Sequence, residues 1–256
     1  MWIAFTREVS PSITRCELTH QARSPIDLAL ARAQHRAYVE ALVALGAEVR
    51  ALPPAPELPD AVFVEDGAVV LDELAVITRP GAASRRAETE SIAAALASER
   101  PLAFLREPAT LDGGDVLRLG RTLYVGLGGR SNEVALEQLA ALVSPHGYDV
   151  VGVPVRGCLH LKSAVTEAAT GLLLVHPACV DPACFPGFRA LEVDPSEPAA
   201  ANVLRVGEGA IYSTSHPRTR ERLERAGVRL RPVDASEVEK AEGAVTCCSL
   251  VLRARA

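Results

Sequence analysis

No stretch of the sequence approaches the roughly 20 apolar residues needed to cross a bilayer. Its opening residues, MWIAFTREVSPSITR, lack the basic flank and apolar run of a secretion signal. A cytoplasmic protein without a membrane partner is expected. An excess of basic charge is missing too: 27 Lys and Arg stand against 32 Asp and Glu, a net charge of −5, with no clustered basic face. The counterion release that drives nucleic-acid binding therefore has no source, and no nucleic-acid partner is expected. The six cysteines (Cys16, Cys158, Cys179, Cys184, Cys247 and Cys248) are scattered through a chain too long to need stapling. They fit a reducing compartment better than a disulfide framework, which leaves thiol chemistry open. What the chain does have is apolar side chains, 48% of 256 residues, enough for a large core in one domain or one array of repeats.

The repeats are concealed but regular. AVVL and LAVIT flank Asp72-Glu73; DVLRL and TLYVGL flank Gly120-Arg121; SAVTEA and GLLLVH flank Ala169-Thr170; NVLRVG and AIYST surround Glu208-Gly209. Each pair predicts a β-hairpin, and the turns recur at intervals of roughly 40 to 50 residues, as in propellers and solenoids. A helical stretch and a short strand (AEVRAL, PLAFLRE, YDVVGVPV, VRLRPVD) complete the units. Ser84 is expected to cap one helix and Ser131 another, whose Leu136, Leu139, Ala140 and Val143 share a face. Ser24, Pro25 and Gly46 border the first helix. WIAFTRE at the start and AVTCCSLVL at the end remain unpaired. Joining them makes a fifth unit and removes the open sheet edges. The expected fold is a closed five-bladed α/β propeller of pseudo-repeated ββαβ units, a single catalytic domain over residues 1–256.

Asp66 precedes the first hairpin, Asp112 the second and His160 the third; Asn202 opens the fourth, and Cys247 lies in the fifth unit. If the units are equivalent, their strand entrances face a common axis, where carboxylates, imidazole, amide and thiol would meet. Two cysteines stand side by side in that last run. Along a strand adjacent side chains point to opposite faces, so only one of them can face the axis.

PDAVFVED, ITRPGAASRR, TLDGGDV, LYVGLGGRSN, GCLHLKS, AAN and EGAVTCCS occur in an order and spacing that resembles the dimethylarginine dimethylaminohydrolases of the guanidine-modifying (pentein) superfamily, over nearly the whole chain. The resemblance implies a cysteine hydrolase without metal or organic cofactor, turning asymmetric dimethylarginine and monomethylarginine into citrulline and an alkylamine through a covalent thiouronium. It implies Cys247 as nucleophile, His160 as acid and base, and Asp112 as the group orienting the imidazole, where many members carry Glu. Cys248 would then be a packing residue.

A guanidinium shields its carbon by delocalised charge, so attack needs carboxylates that grip the nitrogens. Asp66 is the choice for that grip, supported by Asp60 and Glu65, although a solvated acidic loop is the plainer reading of PELPDAVFVED alone. By resemblance, Arg85 and Arg130 hold the substrate α-carboxylate, the backbone near Ala241 binds the α-amine, and residues 12–20 form a lid with Leu18 over the substrate. Gly128 and Ser131 stand where many members have Ser and Thr. Among the other histidines, His146 can cap a helix end, His35 belongs on the polar side of the first helix, and His20 lies on the lid. The HPACVDPAC segment lacks a second matching cysteine pair for a metal site. Two other functions remain open: deimination of arginine or another ω-substituted amino acid, and a non-catalytic propeller like the ribosome anti-association factor. The oligomeric state, a homodimer included, is also open.

Overall fold

Three of the predicted hairpins turn on glycines in the left-handed region, Gly120 (φ 63°), Gly171 (φ 76°) and Gly207 (φ 59°), where a Cβ would be strained. Two turns therefore fall at Thr170–Gly171 and Gly207–Glu208, one residue from the predicted positions.

The computed structural model describes residues 1–255; Ala256, the last residue of the expected domain, lies outside them. In chain order come β1 (Trp2–Thr6), α1 (Leu28–Ala44), β2 (Ala47–Ala51), β3 (Ala68–Val70), β4 (Ala75–Ile77), α2 (Glu88–Leu96) and β5 (Leu102–Phe104). Then follow β6 (Val116–Leu119), β7 (Thr122–Leu127), α3 (Glu133–Val143), β8 (Asp149–Pro154), α4 (Leu161–Ala164), β9 (Val165–Ala169), β10 (Leu172–Val175) and β11 (Arg189–Glu192). The chain closes with β12 (Val203–Val206), β13 (Gly209–Ser213), α5 (Pro217–Arg225), β14 (Leu230–Val233), α6 (Ser236–Glu239) and β15 (Leu250–Arg253).

These strands make five three-stranded sheets, β15-β1-β2, β3-β4-β5, β6-β7-β8, β9-β10-β11 and β12-β13-β14. In each, the first pair is antiparallel and the second parallel. The fold is the five-bladed α/β propeller, and the fifth blade joins the two ends of the chain, with Phe5 opposite Leu250. Helices fill the gaps between blades. Leu139 and Val143 of α3 pack with Val76, Leu123 and Val125 from two sheets, and Leu223 of α5 packs with Leu174 and Tyr212. Each such buried side chain contributes about 1.5–3 kcal/mol.

Several local predictions fail. The first helix starts at Leu28 with Asp27 as cap, its carboxylate accepting the Leu30 N–H, and not at Ser24–Pro25; Gly46 does end it, at φ 86°. Ser84 lies in a 3-10 turn ahead of α2, its hydroxyl on the Glu17 carboxylate at 2.5 Å. Asn132, and not Ser131, caps α3 by accepting the Ala135 N–H at 2.9 Å. No helix joins β10 to β11, where Pro177, Pro182 and Pro186 interrupt the segment and leave one 3-10 turn. His35 is half-buried with an unpartnered Nε2, not on the polar side of α1, and burial lowers its pKa to about 4.

Candidate active site

The glycines of TLDGGDV set how closely the blades approach. A Cβ on Gly113 would lie 2.1 Å from the Glu65 carbonyl oxygen, and one on Gly114 would lie 2.6 Å from His160 Nδ1 and 2.9 Å from Asp66 Oδ1. Only glycine lets the turns before β3, β6 and β9 meet there. The imidazole of His160 then sits between two carboxylates, with Nε2 3.1 Å from Asp112 Oδ2 and Nδ1 4.0 Å from Asp66 Oδ1. Asp112 is fully buried and its other oxygen accepts the Gly81 N–H at 2.8 Å; Asp66 Oδ1 accepts the Gly114 N–H at 2.9 Å. Burial alone would disfavour an imidazolium, but Asp66, the hydrogen bond to Asp112, and Asp115 outweigh it and raise the His160 pKa to about 9.

Cys247 reaches the same place by a different route from the predicted one. Residues 245–248 form a turn, and β15 begins only at Leu250, so strand alternation does not separate the two thiols. The turn is held by Asn202, which accepts the Thr246 N–H and donates to its hydroxyl, both at 3.0 Å, and by the Glu65 N–H donating to the Cys247 carbonyl at 3.2 Å. With those backbone groups committed to other blades, the strand cannot extend. The predicted separation of the thiols nevertheless holds: half-buried Cys247 faces the cavity, whereas Cys248 is 4% exposed and packs in the core cluster that includes Tyr38 of α1. Burial, then Glu65 and Asp66, push the Cys247 thiol well above its ordinary range and favour the protonated thiol.

The cavity is walled by Asp60, Asp66, Arg85, Arg130, His160, Ala241 and Cys247, together with Phe63, Leu159 and Glu242. Asp112 stands behind His160. Two predicted binding residues are not among these walls. Glu65 is turned away, its oxygens taken by Lys162 Nζ at 2.6 Å and the Thr246 hydroxyl at 2.8 Å, and Leu18 packs on the core while its neighbour Glu17 lines the cavity. The acidic loop is buried, not solvated, with Asp60, Glu65 and Asp66 at 8% exposure or less.

Arg85, expected by resemblance to meet the substrate α-carboxylate, is largely taken up by protein partners. It is buried, with Nη1 2.6 Å from Asp66, Nη2 2.8 Å from Glu88 and 3.1 Å from the Phe63 carbonyl, and Nε 3.2 Å from Glu88. Burial opposes its charge, but Asp66 and Glu88 more than restore it and raise the pKa. Asp66 in turn stays ionised despite burial because of Arg85 and His160. Arg130 is freer, with one bond from Nη2 to the Thr19 hydroxyl at 2.8 Å. Removing the Arg85 guanidinium would strand two buried carboxylates. Arg85→Met is therefore expected to lower unfolding stability by about 3–5 kcal/mol, read as the urea midpoint with an unchanged slope. A loss below about 1 kcal/mol would show that Asp66 and Glu88 do not depend on it.

Residues 16–21 cross the cavity mouth. The Glu17 N–H donates to both Asp60 oxygens at 3.2 Å, and the Glu242 carboxylate accepts the N–H groups of Thr19, His20 and Gln21 at 2.5–3.1 Å. Glu242 adopts φ 57°, the left-handed region usually left to glycine. Glu242, Lys162 and Thr246 escaped the sequence reading, as did Asp115. Their only signal was adjacency to the motif residues, with nothing to say which way a side chain turns. Asp66, Asp112 and His160 are the one set of three metal-ligand types drawn close together among the described residues, within 4.8 Å; HPACVDPAC makes no such set. Among the described residues, no helix is long and apolar enough to cross a membrane.

The class that this fold and this arrangement of thiol, imidazole and carboxylates define is the guanidine-modifying hydrolases built on the α/β propeller. The family profile described as N,N dimethylarginine dimethylhydrolase, eukaryotic, matches residues 15–177. A dimethylarginine dimethylaminohydrolase of Streptomyces coelicolor is 46% identical, over 98% of this chain and 96% of that protein. One from Pseudomonas aeruginosa is 37% identical, over 88% and 89%. A solved structure of a Pseudomonas aeruginosa enzyme, a cysteine-to-serine variant complexed with citrulline, superposes with a TM-score of 0.94 at 34% identity, covering 98% of this chain and 100% of the other. The amino-terminal domain of the arginine dihydrolase ArgZ, at 21% identity and a TM-score of 0.87, shares the fold. The chain belongs to the dimethylarginine dimethylaminohydrolase family.

Proposed function

We propose that this protein hydrolyses asymmetric dimethylarginine and monomethylarginine to citrulline, releasing dimethylamine or methylamine, with Cys247 as nucleophile. The observation that carries the reading is the imidazole of His160, held between Asp112 and Asp66 on the wall of the cavity that Cys247 also lines. A substrate guanidinium entering beside Asp66 places positive charge near the thiol, which favours loss of the thiol proton to solvent and leaves the thiolate. The sulfur attacks the guanidinium carbon, and His160, protonated at neutral pH, gives its proton to the departing amine. The neutral imidazole then takes a proton from water, whose oxygen displaces the sulfur as citrulline forms. Asp112 holds one ring nitrogen throughout.

Asp66 and Asp60 supply the negative wall for the unsubstituted nitrogens, so methylation is tolerated on the leaving side only. Arg130 is the principal match for the α-carboxylate, with Arg85 contributing what its bonds to Asp66 and Glu88 leave free. Ala241 lies where its backbone can meet the α-amine, and Leu18 belongs to the covering loop. Glu65 acts indirectly, bracing the Cys247 turn through Thr246. Residues 1–256 are proposed to work as one catalytic domain, supported by the pairing of both chain ends in one sheet. A reducing cytoplasm suits the six free thiols.

Release of the amine or ammonia, with the matching ureido product (citrulline, N-methylcitrulline from the symmetric isomer, or the decarboxylated ureido compound from agmatine), measured across five compounds, free arginine included, tests the reading. Asymmetric dimethylarginine and monomethylarginine should turn over, and the symmetric isomer, methylated on both terminal nitrogens, should not. Agmatine loses a charge-assisted contact of about 1.5–3 kcal/mol, so its kcat/KM should fall by roughly 10- to 150-fold. A preference for free arginine would reassign the protein to deimination.

A further inference from the structure

A further carboxylate, Asp115, lies behind the site and touches neither the cavity nor the imidazole directly. It is 2% exposed and accepts two hydrogen bonds: the Leu161 N–H on Oδ1 at 2.9 Å and the Ser131 hydroxyl on Oδ2 at 2.5 Å. Leu161 follows His160 in the chain, and His160 itself makes no side-chain cap to the short helix it precedes. Ser131 in turn accepts the N–H of Asp112 at 3.3 Å. One carboxylate thus reaches the backbones of both members of the His160–Asp112 pair, which come from different blades. Gly126 leaves room for this carboxylate: a Cβ there would lie 2.8 Å from Asp115 Oδ1 and 2.8 Å from the Leu161 side chain.

We propose that Asp115 is a positioning residue for the hydrolysis, holding the backbone of His160 through Leu161 and that of Asp112 through Ser131 so that imidazole and carboxylate meet at hydrogen-bond distance. Such a role deepens the proposed function and rests on it for turnover, because a displacement of about 1 Å at a reacting group can cost on the order of 100-fold. It is also electrostatic. Asp66, Asp112 and Asp115 all face His160 and favour its charged form, while burial and His160 hold Asp115 at about 6, ionised at neutral pH.

Asp115→Asn keeps the size and the acceptor for Leu161 but removes the charge, and Ser131→Ala removes the bridge to Asp112 while leaving the charge. Asp115→Asn should lower kcat by about 10- to 100-fold with KM within about threefold, and Ser131→Ala should lower kcat by a smaller factor that Ser131→Thr restores. The His160 ring, followed by NMR in the free enzyme, should titrate about one unit lower or more in Asp115→Asn, since one of three facing negative charges is gone. That signal needs no substrate, so it reports on Asp115 even if the wild type turns over none of the methylarginines, which would sink the proposed function instead. Should Asp115→Asn fail to fold, the Ser131 pair carries the test. An unchanged His160 titration in Asp115→Asn, or wild-type kcat in Ser131→Ala, would overturn the positioning role.

Discussion

Cys247→Ser is expected to reduce citrulline formation by about 10³-fold or more, because serine's hydroxyl cannot be ionised by a nearby guanidinium as a thiol can. Cys248→Ser should retain most of the activity. Its thiol points to the Ala244 carbonyl at 3.6 Å in the core, a contact a serine hydroxyl can also make, so only stability should fall, by about 1 kcal/mol. The two thiols also differ in what raises them. Burial dominates both, and Cys248, at about 12, has only Glu65 beside it, whereas Cys247 has Glu65 and Asp66 at a cavity wall that a cation can occupy. A neutral alkylating agent should therefore label Cys247 slowly at neutral pH and faster as pH rises. A cationic amidine, carrying the charge that lowers the thiol's pKa, should label it rapidly at neutral pH. Peptide mapping by mass spectrometry decides: label chiefly on Cys248 would reverse the assignment.

His160→Ala should lower kcat by about 10³- to 10⁴-fold, since it removes the donor to the leaving amine and the base for water together. Asp112→Asn should cost less, about 100-fold, because an amide can still meet the ring but no longer stabilises its positive charge. The pH behaviour separates the roles. Asp112 contributes to the raised His160 value both by hydrogen bond and by charge, so in Asp112→Asn the ring should titrate below the wild-type midpoint near 9. The sign also bears on stability: a histidine with an ordinary pKa near 6.5 and a folded value near 9 stabilises the fold fully below pH 6.5, and that contribution disappears as pH rises through 9. His160→Ala should lose this alkaline slope in unfolding stability. A slope the same in wild type and variant would mean that His160 is not held charged.

How much of the site was legible depended on whether a residue acts through its place in the repeat or through the direction of its side chain. Asp66, Asp112, His160 and Cys247 each occur at the entrance to a unit, so a repeat read from hairpins was enough to bring them together. The side chains that turn between blades were not legible. Arg85 was expected by resemblance to meet the substrate α-carboxylate, and only the folded chain shows it closed on Asp66 and Glu88. Glu65, in the same motif as Asp66, faces the opposite way toward Lys162. Asp115 stands three residues from Asp112 and does different work, because the 3-10 turn at Gly113–Asp115 aims the two carboxylates at different partners.

By itself, the sequence determined the blade order and the chemistry. Alternating apolar runs around turns specify hairpins locally, and their recurrence, with unpaired runs at both ends, leaves ring closure as the way to satisfy the edges. The motif spacing then assigned a thiol, an imidazole and acids to strand entrances. Tertiary structure alone decided where elements begin and which way buried polar groups point. A helix start moves to whichever side chain can reach its free N–H groups, as at Asp27 and Asn132. The Cys247 turn exists because Asn202 and Glu65, from two other blades, take hydrogen-bonding groups that a strand would need. The partners of a buried charge lie dozens of residues away in sequence, and desolvation makes the choice among them decisive only once the blades have closed.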